Sequence, residues 1–267
     1  MTRKPTETYT NATRAAWNAS ARHHETSDYW AEWVAAAAKP GFTVLDASLS
    51  KTLAALEADG KTVGQLCCNN ARELLSVATL GACPLWGVDG SEAFLAQGAE
   101  LARLSGQAPR LICADIYNLP TDIPPVEILL ITIGVLNWMP DLPRVFEIAF
   151  GLIASGGQLV IYETHPVLEM FDPEAEDPFT PTISYFERDP YVETDAITYD
   201  GARHASETES YWFQHTMGEI VTGVAAAGLR VRFLTEHPHS NREALYDIYE
   251  GREAQIPMCF TLVADRG

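Results

Sequence analysis

The chain has 267 residues, 47% of them hydrophobic, enough for one large domain or a domain with a sizeable insertion. Acids outnumber bases 36 to 18, the formal net charge is −18, and lysine occurs only at positions 4, 39, 51 and 61. Such a composition argues against a nucleic-acid partner, which needs clustered Lys and Arg, and against an anionic membrane surface. No apolar run reaches the roughly 18 residues of a membrane span, and the polar stretch Met1 to Thr13 does not read as a secretory signal. Cys67, Cys68, Cys83, Cys113 and Cys259 lack metal-site spacing. Reduced thiols, a cytoplasmic location and no metal are therefore expected.

Residues 11–38 read as two short helices, the first capped by Thr10 or Asn11, the second by Thr26 or Ser27. A third helical run over 48–58 ends with Gly60 in the usual C′ position. Strands are predicted at 62–67, 84–88, 110–114, 126–133 and 158–162, alternating with helices at 70–80, 91–105 and 142–153. The apolar run 126–133 suits a strand buried on both faces. The alternation breaks at Pro166; 166–210 is acidic, aromatic and Pro-rich, with β-like pieces at 182–187 and 191–199. A span this long between core elements is functional or an added subdomain. A helix at 215–227 and strands at 229–234 and 258–263 finish the chain. The expected fold is α/β: a doubly wound, seven-stranded, mostly parallel sheet in 61–267, a helical cap over 1–60 and a lid insertion at 166–210.

The most informative stretch is Lys61 to Ser91. A short apolar strand runs into the small polar loop Cys67-Cys68-Asn69-Asn70-Ala71, then a helix, then a second strand ending on Asp89. Strand, tight loop, helix, strand and acid form the unit that holds a nucleoside in a doubly wound sheet. The helix N-terminus offers free N–H groups, and an acid at the second strand tip can accept both ribose hydroxyls. Asp89 follows Gln65 at close to the roughly 20-residue interval usual for that acid. Capping of the next helix is the competing role for Asp89.

These residues resemble the class I S-adenosylmethionine-dependent methyltransferases, in particular the small-molecule branch, over residues 60–267. In that family the first loop is of the type Gly-x-Gly-x-Gly after an acid; here Gln65 replaces the acid, and Cys67, Asn69 and Ala71 stand at the three glycines. Asn tolerates positive φ best among the substitutes. The resemblance implies that Cys67, Asn69, Asn70, Asp89 and Gly90 meet the cofactor, and that Asp115 accepts from the adenine amino group while Ile116 packs on the ring. It also implies that Ile133 and Gly134 pass close to the methionine moiety, with Tyr29 covering the cofactor. Ile133 to Asp141 looks like the fourth motif, with Asp141 capping the next helix; Gly156-Gly157 resembles the turn into the fifth strand. S-adenosyl-L-methionine is the implied cofactor and S-adenosyl-L-homocysteine the product.

Glu163 and His165 sit where the fifth strand leaves the sheet, and ligands in such sheets bind beyond the strands' carboxyl ends. They are the catalytic candidates, His165 as a base; a His bonded to a lid backbone is the competing role. Glu236-His237 ends the 229–234 strand similarly, but is expected farther from the cofactor. Trp17, His24, Asn137, Trp138, Tyr185, Tyr191, Trp212 and His215 are the substrate-pocket candidates, weighed against a small satellite core under the lid. The expected function is methyl transfer to the O, N or C atom of a small molecule, with secondary metabolism as its setting and a homodimer as the assembly considered. Phosphorylated or strongly anionic acceptors are disfavoured by the acidic lid. The alternatives are a nicotinamide-dependent oxidoreductase and a degenerate cofactor-binding scaffold. The first lacks Gly-x-Gly-x-x-Gly spacing and a Tyr-x-x-x-Lys pair.

Overall fold

The computed structural model describes residues 4–199, 201–241 and 244–267. Three helices come first: α1 (Thr6–Glu25), α2 (Asp28–Ala37) and α3 (Ala47–Ala55). The sheet then alternates β1 (Thr62–Leu66), α4 (Arg72–Ser76, continued by the tighter turn Val77–Leu80), β2 (Cys83–Asp89), α5 (Glu92–Leu104) and β3 (Arg110–Cys113). It continues with β4 (Val126–Thr132), α6 (Leu142–Leu152) and β5 (Ile153–Thr164). A hairpin of β6 (Tyr191–Asp195) and β7 (Ala205–Trp212) intervenes before α7 (Met217–Ala226), β8 (Arg230–His237) and β9 (Cys259–Asp265).

The seven-stranded sheet has the order β3-β2-β1-β4-β5-β9-β8. All its strands run parallel except β9, which is antiparallel to both β5 and β8. The order reverses between β1 and β4, so a crevice opens beyond their carboxyl ends. Strand β4 shows why the sheet is covered twice. Leu129 and Ile131 pack with Val145, Phe146 and Ala149 of α6. Ile128 and Leu130 pack on the other face with Leu49 and Leu53 of α3 and Leu74 of α4. Successive side chains of a strand point to opposite faces, and burying each such side chain contributes roughly 1.5–3 kcal/mol.

Several boundaries differ from the sequence reading. Helix α1 begins at Thr6 behind Pro5 rather than at Thr10 or Asn11, because Pro5 carries no N–H to satisfy and its fixed φ suits a helix entrance. Ser27 and Asp141 do cap α2 and α6. Helix α3 is closed by Glu57 at φ 54°, not by Gly60, which belongs to the following turn. No strand forms at 182–187, and β7, which runs on beyond the expected insertion boundary at 210, has no strand-like sequence signal. Its Ser206-Glu207-Thr208-Glu209 is polar on both faces, so the period of two that marks a half-buried strand is missing. The hairpin is held instead from outside: Tyr9 of α1 meets Tyr211 and Phe213 edge-on at 5.0 and 5.1 Å. Among the described residues, no helix is long and apolar enough to cross a membrane.

Candidate active site

A cleft of about 850 Å³ lies beyond the carboxyl ends of β1 to β4, covered by α1 and the β6–β7 hairpin. Its floor is the loop after β1. Cys67, Asn69 and Ala71 have φ of 50°, 51° and 57°. The alternating left-handed backbone that glycines would supply is thus made by a Cys, an Asn and an Ala. Helix α5 approaches so closely that a Cβ at Gly98 would lie 3.0 Å from the Asn70 carbonyl. Left-handed geometry costs roughly 1–2 kcal/mol for a residue with a Cβ. Replacing both Cys67 and Ala71 by Gly relieves that strain but gives up buried side-chain atoms, about 0.8 kcal/mol per CH₂, and adds freedom to the unfolded chain. The double variant is expected within about 1 kcal/mol of the parent in urea titration. A loss beyond about 3 kcal/mol would contradict the left-handed assignment.

Asp89, at the tip of β2, pins this loop. Its Oδ2 accepts from the Asn69 N–H at 2.7 Å and its Oδ1 from the Ser91 N–H at 2.8 Å. Burial raises its carboxyl above the usual value, against those backbone donors. The competing helix-capping role weighed for Asp89 falls to Ser91, whose side chain accepts from the Phe94 N–H. Asp115, beyond β3, accepts from the Tyr117 N–H at 2.9 Å and from the Thr10 hydroxyl of α1 at 2.6 Å. Cys67, Asn69, Asp89, Gly90, Asp115, Ile116, Ile133 and Gly134 all line the cleft.

A small recess of about 30 Å³ adjoins the loop and is lined by Gln65, Arg72, Thr132 and Tyr199, among others. The Arg72 guanidinium stacks 4.5 Å from the Trp33 ring centre and 4.9 Å from that of Tyr199, with Nε 3.0 Å from Glu73. The Gln65 amide donates to Thr132 Oγ1 at 2.7 Å, while its buried Oε1 has no partner among the described residues.

The catalytic candidates sit elsewhere. Glu163 is 3% exposed, and its carboxylate accepts from the backbone N–H groups of Gly134, Val135 and Leu136 at 2.5, 2.8 and 3.1 Å. Those bonds hold the turn in which Ile133 takes φ 37° and Gly134 φ 80°, a conformation a β-branched residue rarely adopts. His165 does not line the cleft. Its Nδ1 accepts from the Val167 N–H at 3.1 Å, so Nε2 carries the hydrogen and donates to Glu236 at 2.8 Å. Both side chains are thus engaged by the fold, Glu163 by the turn after β4 and His165 by Glu236.

Burial pushes the His165 imidazole below its usual value, against the pull of Glu236. Between that depressed value and about 6.5 the unfolded chain binds more protons than the folded one, so stability falls as pH drops through this window. His23 and His237 are depressed as well, so the His165→Asn variant isolates the effect. Its stability loss between neutral and mildly acid pH, read by urea midpoint, is expected to be smaller than the parent's. An identical loss would contradict the buried neutral imidazole.

Of the other expected residues, Trp17, Trp138, Tyr191 and Trp212 line the cleft. His24 and Tyr29 do not: His24 Nε2 donates to the Ile197 carbonyl and its Nδ1 accepts from the Tyr29 hydroxyl, both at 2.8 Å. Asn70 is buried behind the loop, its Oδ1 3.3 Å from Arg72. Tyr185 accepts from the Met217 N–H, His215 donates to the Met139 carbonyl, and Asn137 offers its carbonyl to the Phe213 N–H. These six stand behind the walls. Sequence reasoning missed Thr10, Arg72, Tyr199, Glu193 and Ser210, which line the cleft. An Arg directly after the loop was a readable signal for Arg72; the hairpin residues become legible only through the β6–β7 register.

No protein-family model matches the sequence, and no curated protein matches it. Solved structures do. The 1,6-didemethyltoxoflavin N1-methyltransferase of Burkholderia thailandensis, solved with its substrate and S-adenosylhomocysteine, aligns with TM-score 0.60 and 15% identity over 100% of this chain and 92% of its own. The CcbJ methyltransferase of Streptomyces caelestis gives 0.60 and 13% over 96% and 99%. The geranyl diphosphate C-methyltransferase of Streptomyces coelicolor, solved with Mg²⁺, geranyl diphosphate and S-adenosylhomocysteine, gives 0.58 and 13% over 99% of both chains. The chain has the class I methyltransferase fold.

Proposed function

We propose that the protein transfers a methyl group from S-adenosylmethionine to a small-molecule acceptor. The observation that carries this reading is the loop at Cys67, Asn69 and Ala71, which holds left-handed geometry without glycine and is tied to Asp89. The orphaned Gln65 Oε1 and the Arg72 guanidinium share the recess beside it, and suit the ammonium and carboxylate of an amino-acid tail. Asp89 would take the ribose hydroxyls, Asp115 the adenine amino group and Ile116 the ring face. The similar proteins solved with S-adenosylhomocysteine support the same reading.

The cofactor, when bound, supplies a methyl group already activated by a sulfonium. The chain's task is then to align the acceptor and exclude water. Trp17, Trp138 and Trp212 form a continuous apolar wall, with ring centres 5.6 Å and 4.7 Å apart and edge-on contacts. With Glu163 and His165 committed to backbone and to Glu236, alignment rather than a dedicated base from this pair carries the reaction. A cleft of about 850 Å³ falls within the range typical of small-molecule sites, roughly 300–1,000 Å³. The cysteines are all free thiols, which supports a reducing, cytoplasmic setting.

A crystal structure with S-adenosylhomocysteine tests the reading. The ribose is expected on Asp89 and the carboxylate on Arg72. A ligand bound elsewhere, with Asp89 still engaged only by Asn69 and Ser91, would overturn it.

A further inference from the structure

The outer half of the cleft is one face of the β6–β7 hairpin. In its register Tyr191 stands opposite Trp212 and Glu193 opposite Ser210. Period-two alternation puts these four side chains on one face, and all four line the cleft. Tyr211, on the other face, packs on Tyr9.

Among the described residues, Ser210 Oγ and the Tyr191 hydroxyl on this face have no hydrogen-bond partner, and Glu193 has no ion pair within 4 Å. Ser210 is 0% exposed, and its Oγ has no hydrogen-bond partner among the described residues; the buried Tyr191 hydroxyl has none either. Buried polar groups are nearly always paired, so two orphans on one cleft wall point to a ligand. Glu193 opens onto the same space. The nearby cation, Arg203, is engaged by Glu174 and by Asp195 at 3.9 Å, so Glu193 has no ion pair among the described residues.

We propose that this face is the seat of a protonated amine on a ring-bearing methyl acceptor, with Glu193, Ser210 and Tyr191 as its hydrogen-bond partners. The inference rests on the methyl-transfer reading for the word acceptor, but the seat itself does not depend on it. An ammonium donates three hydrogen bonds and accepts none, matching one carboxylate and two hydroxyls. Asp172, Glu174 and Asp195 also line this part of the cleft. Burial and the neighbouring Asp195 push the Glu193 carboxyl up, against the partial pull of Arg203, a crowding that a further cation relieves and a neutral alcohol does not. Trp212 and Trp138, edge-on at 4.7 Å, supply faces for the ring and for the cation.

Three probes sharing one ring separate the cases: tryptamine, the alcohol tryptophol and indole-3-propionate. Each is titrated calorimetrically into the parent and into the Glu193→Gln and Ser210→Ala variants, with S-adenosylhomocysteine titrated into the same preparations. Tryptamine is expected to bind the parent about ten-fold more tightly than either analogue. That preference is expected to vanish in Glu193→Gln and to shrink in Ser210→Ala, with S-adenosylhomocysteine affinity unchanged. Equal binding of tryptophol, preference for the acid, no binding of tryptamine at millimolar concentration, or an unaltered preference in Glu193→Gln would each overturn the proposal. Amine selectivity without S-adenosylhomocysteine binding would leave the seat standing and remove the methyl-transfer reading instead.

Discussion

Replacing Asp89 by alanine is expected to lower S-adenosylhomocysteine affinity at least about 100-fold. Two charge-assisted hydrogen bonds to ribose hydroxyls are worth about 1.5–3 kcal/mol each, and a factor of ten in affinity is about 1.4 kcal/mol. The same carboxylate also accepts from the Asn69 and Ser91 N–H groups, so its removal loosens the left-handed loop that forms the floor of the site. Asp89→Asn separates the two contributions. It keeps an acceptor for one backbone N–H while discarding the charge, and an intermediate loss is expected. Calorimetric titration of both variants, with thermal unfolding as a check on folding, reads the result. A loss below about three-fold for a folded Asp89→Ala protein would remove Asp89 from the cofactor site.

Glu163→Ala is expected to lose stability rather than chemistry. Three backbone N–H groups surrender a buried carboxylate at once, and each unsatisfied buried donor costs about 1–3 kcal/mol. Relaxation of the strained turn at Ile133 returns part of this, so a net loss of about 3 kcal/mol or more is expected. For a domain of this size that lowers Tm by roughly 6–12 °C. Glu163→Gln retains one oxygen acceptor but turns an NH₂ toward a backbone N–H, so a smaller loss in the same direction is expected. An unchanged Tm with abolished turnover would restore Glu163 as a catalytic residue.

The strand–loop–helix signals of the sheet were readable because they are local. Asp89 and Asp115 end apolar runs, and the run 126–133 is long enough to demand burial on both faces. The first loop was readable through its spacing and through Asn69, the one of its three positive-φ residues whose type tolerates that geometry; Cys67 and Ala71 give no such signal, yet the backbone adopts it where β1, β2 and α5 close around the loop. Glu163 and His165 were legible by their position at the strand end, but the direction of their side chains was not. Alternation along β5 and its exit points them at the β4 turn and at Glu236, and those partners lie far away in sequence. Strand β7 was missed because a polar hairpin that roofs a cleft carries no amphipathic signature. Its functional face, Tyr191, Glu193, Ser210 and Trp212, exists only once the register is known.

The measurement that tests the central claim most directly is calorimetric titration of the purified protein with S-adenosylhomocysteine, with NAD as the control. Micromolar binding of S-adenosylhomocysteine, at one site per chain and with no heat from NAD, is the predicted result. No binding, or binding of NAD instead, would mean that the glycine-free loop does not receive this cofactor and would contradict the account.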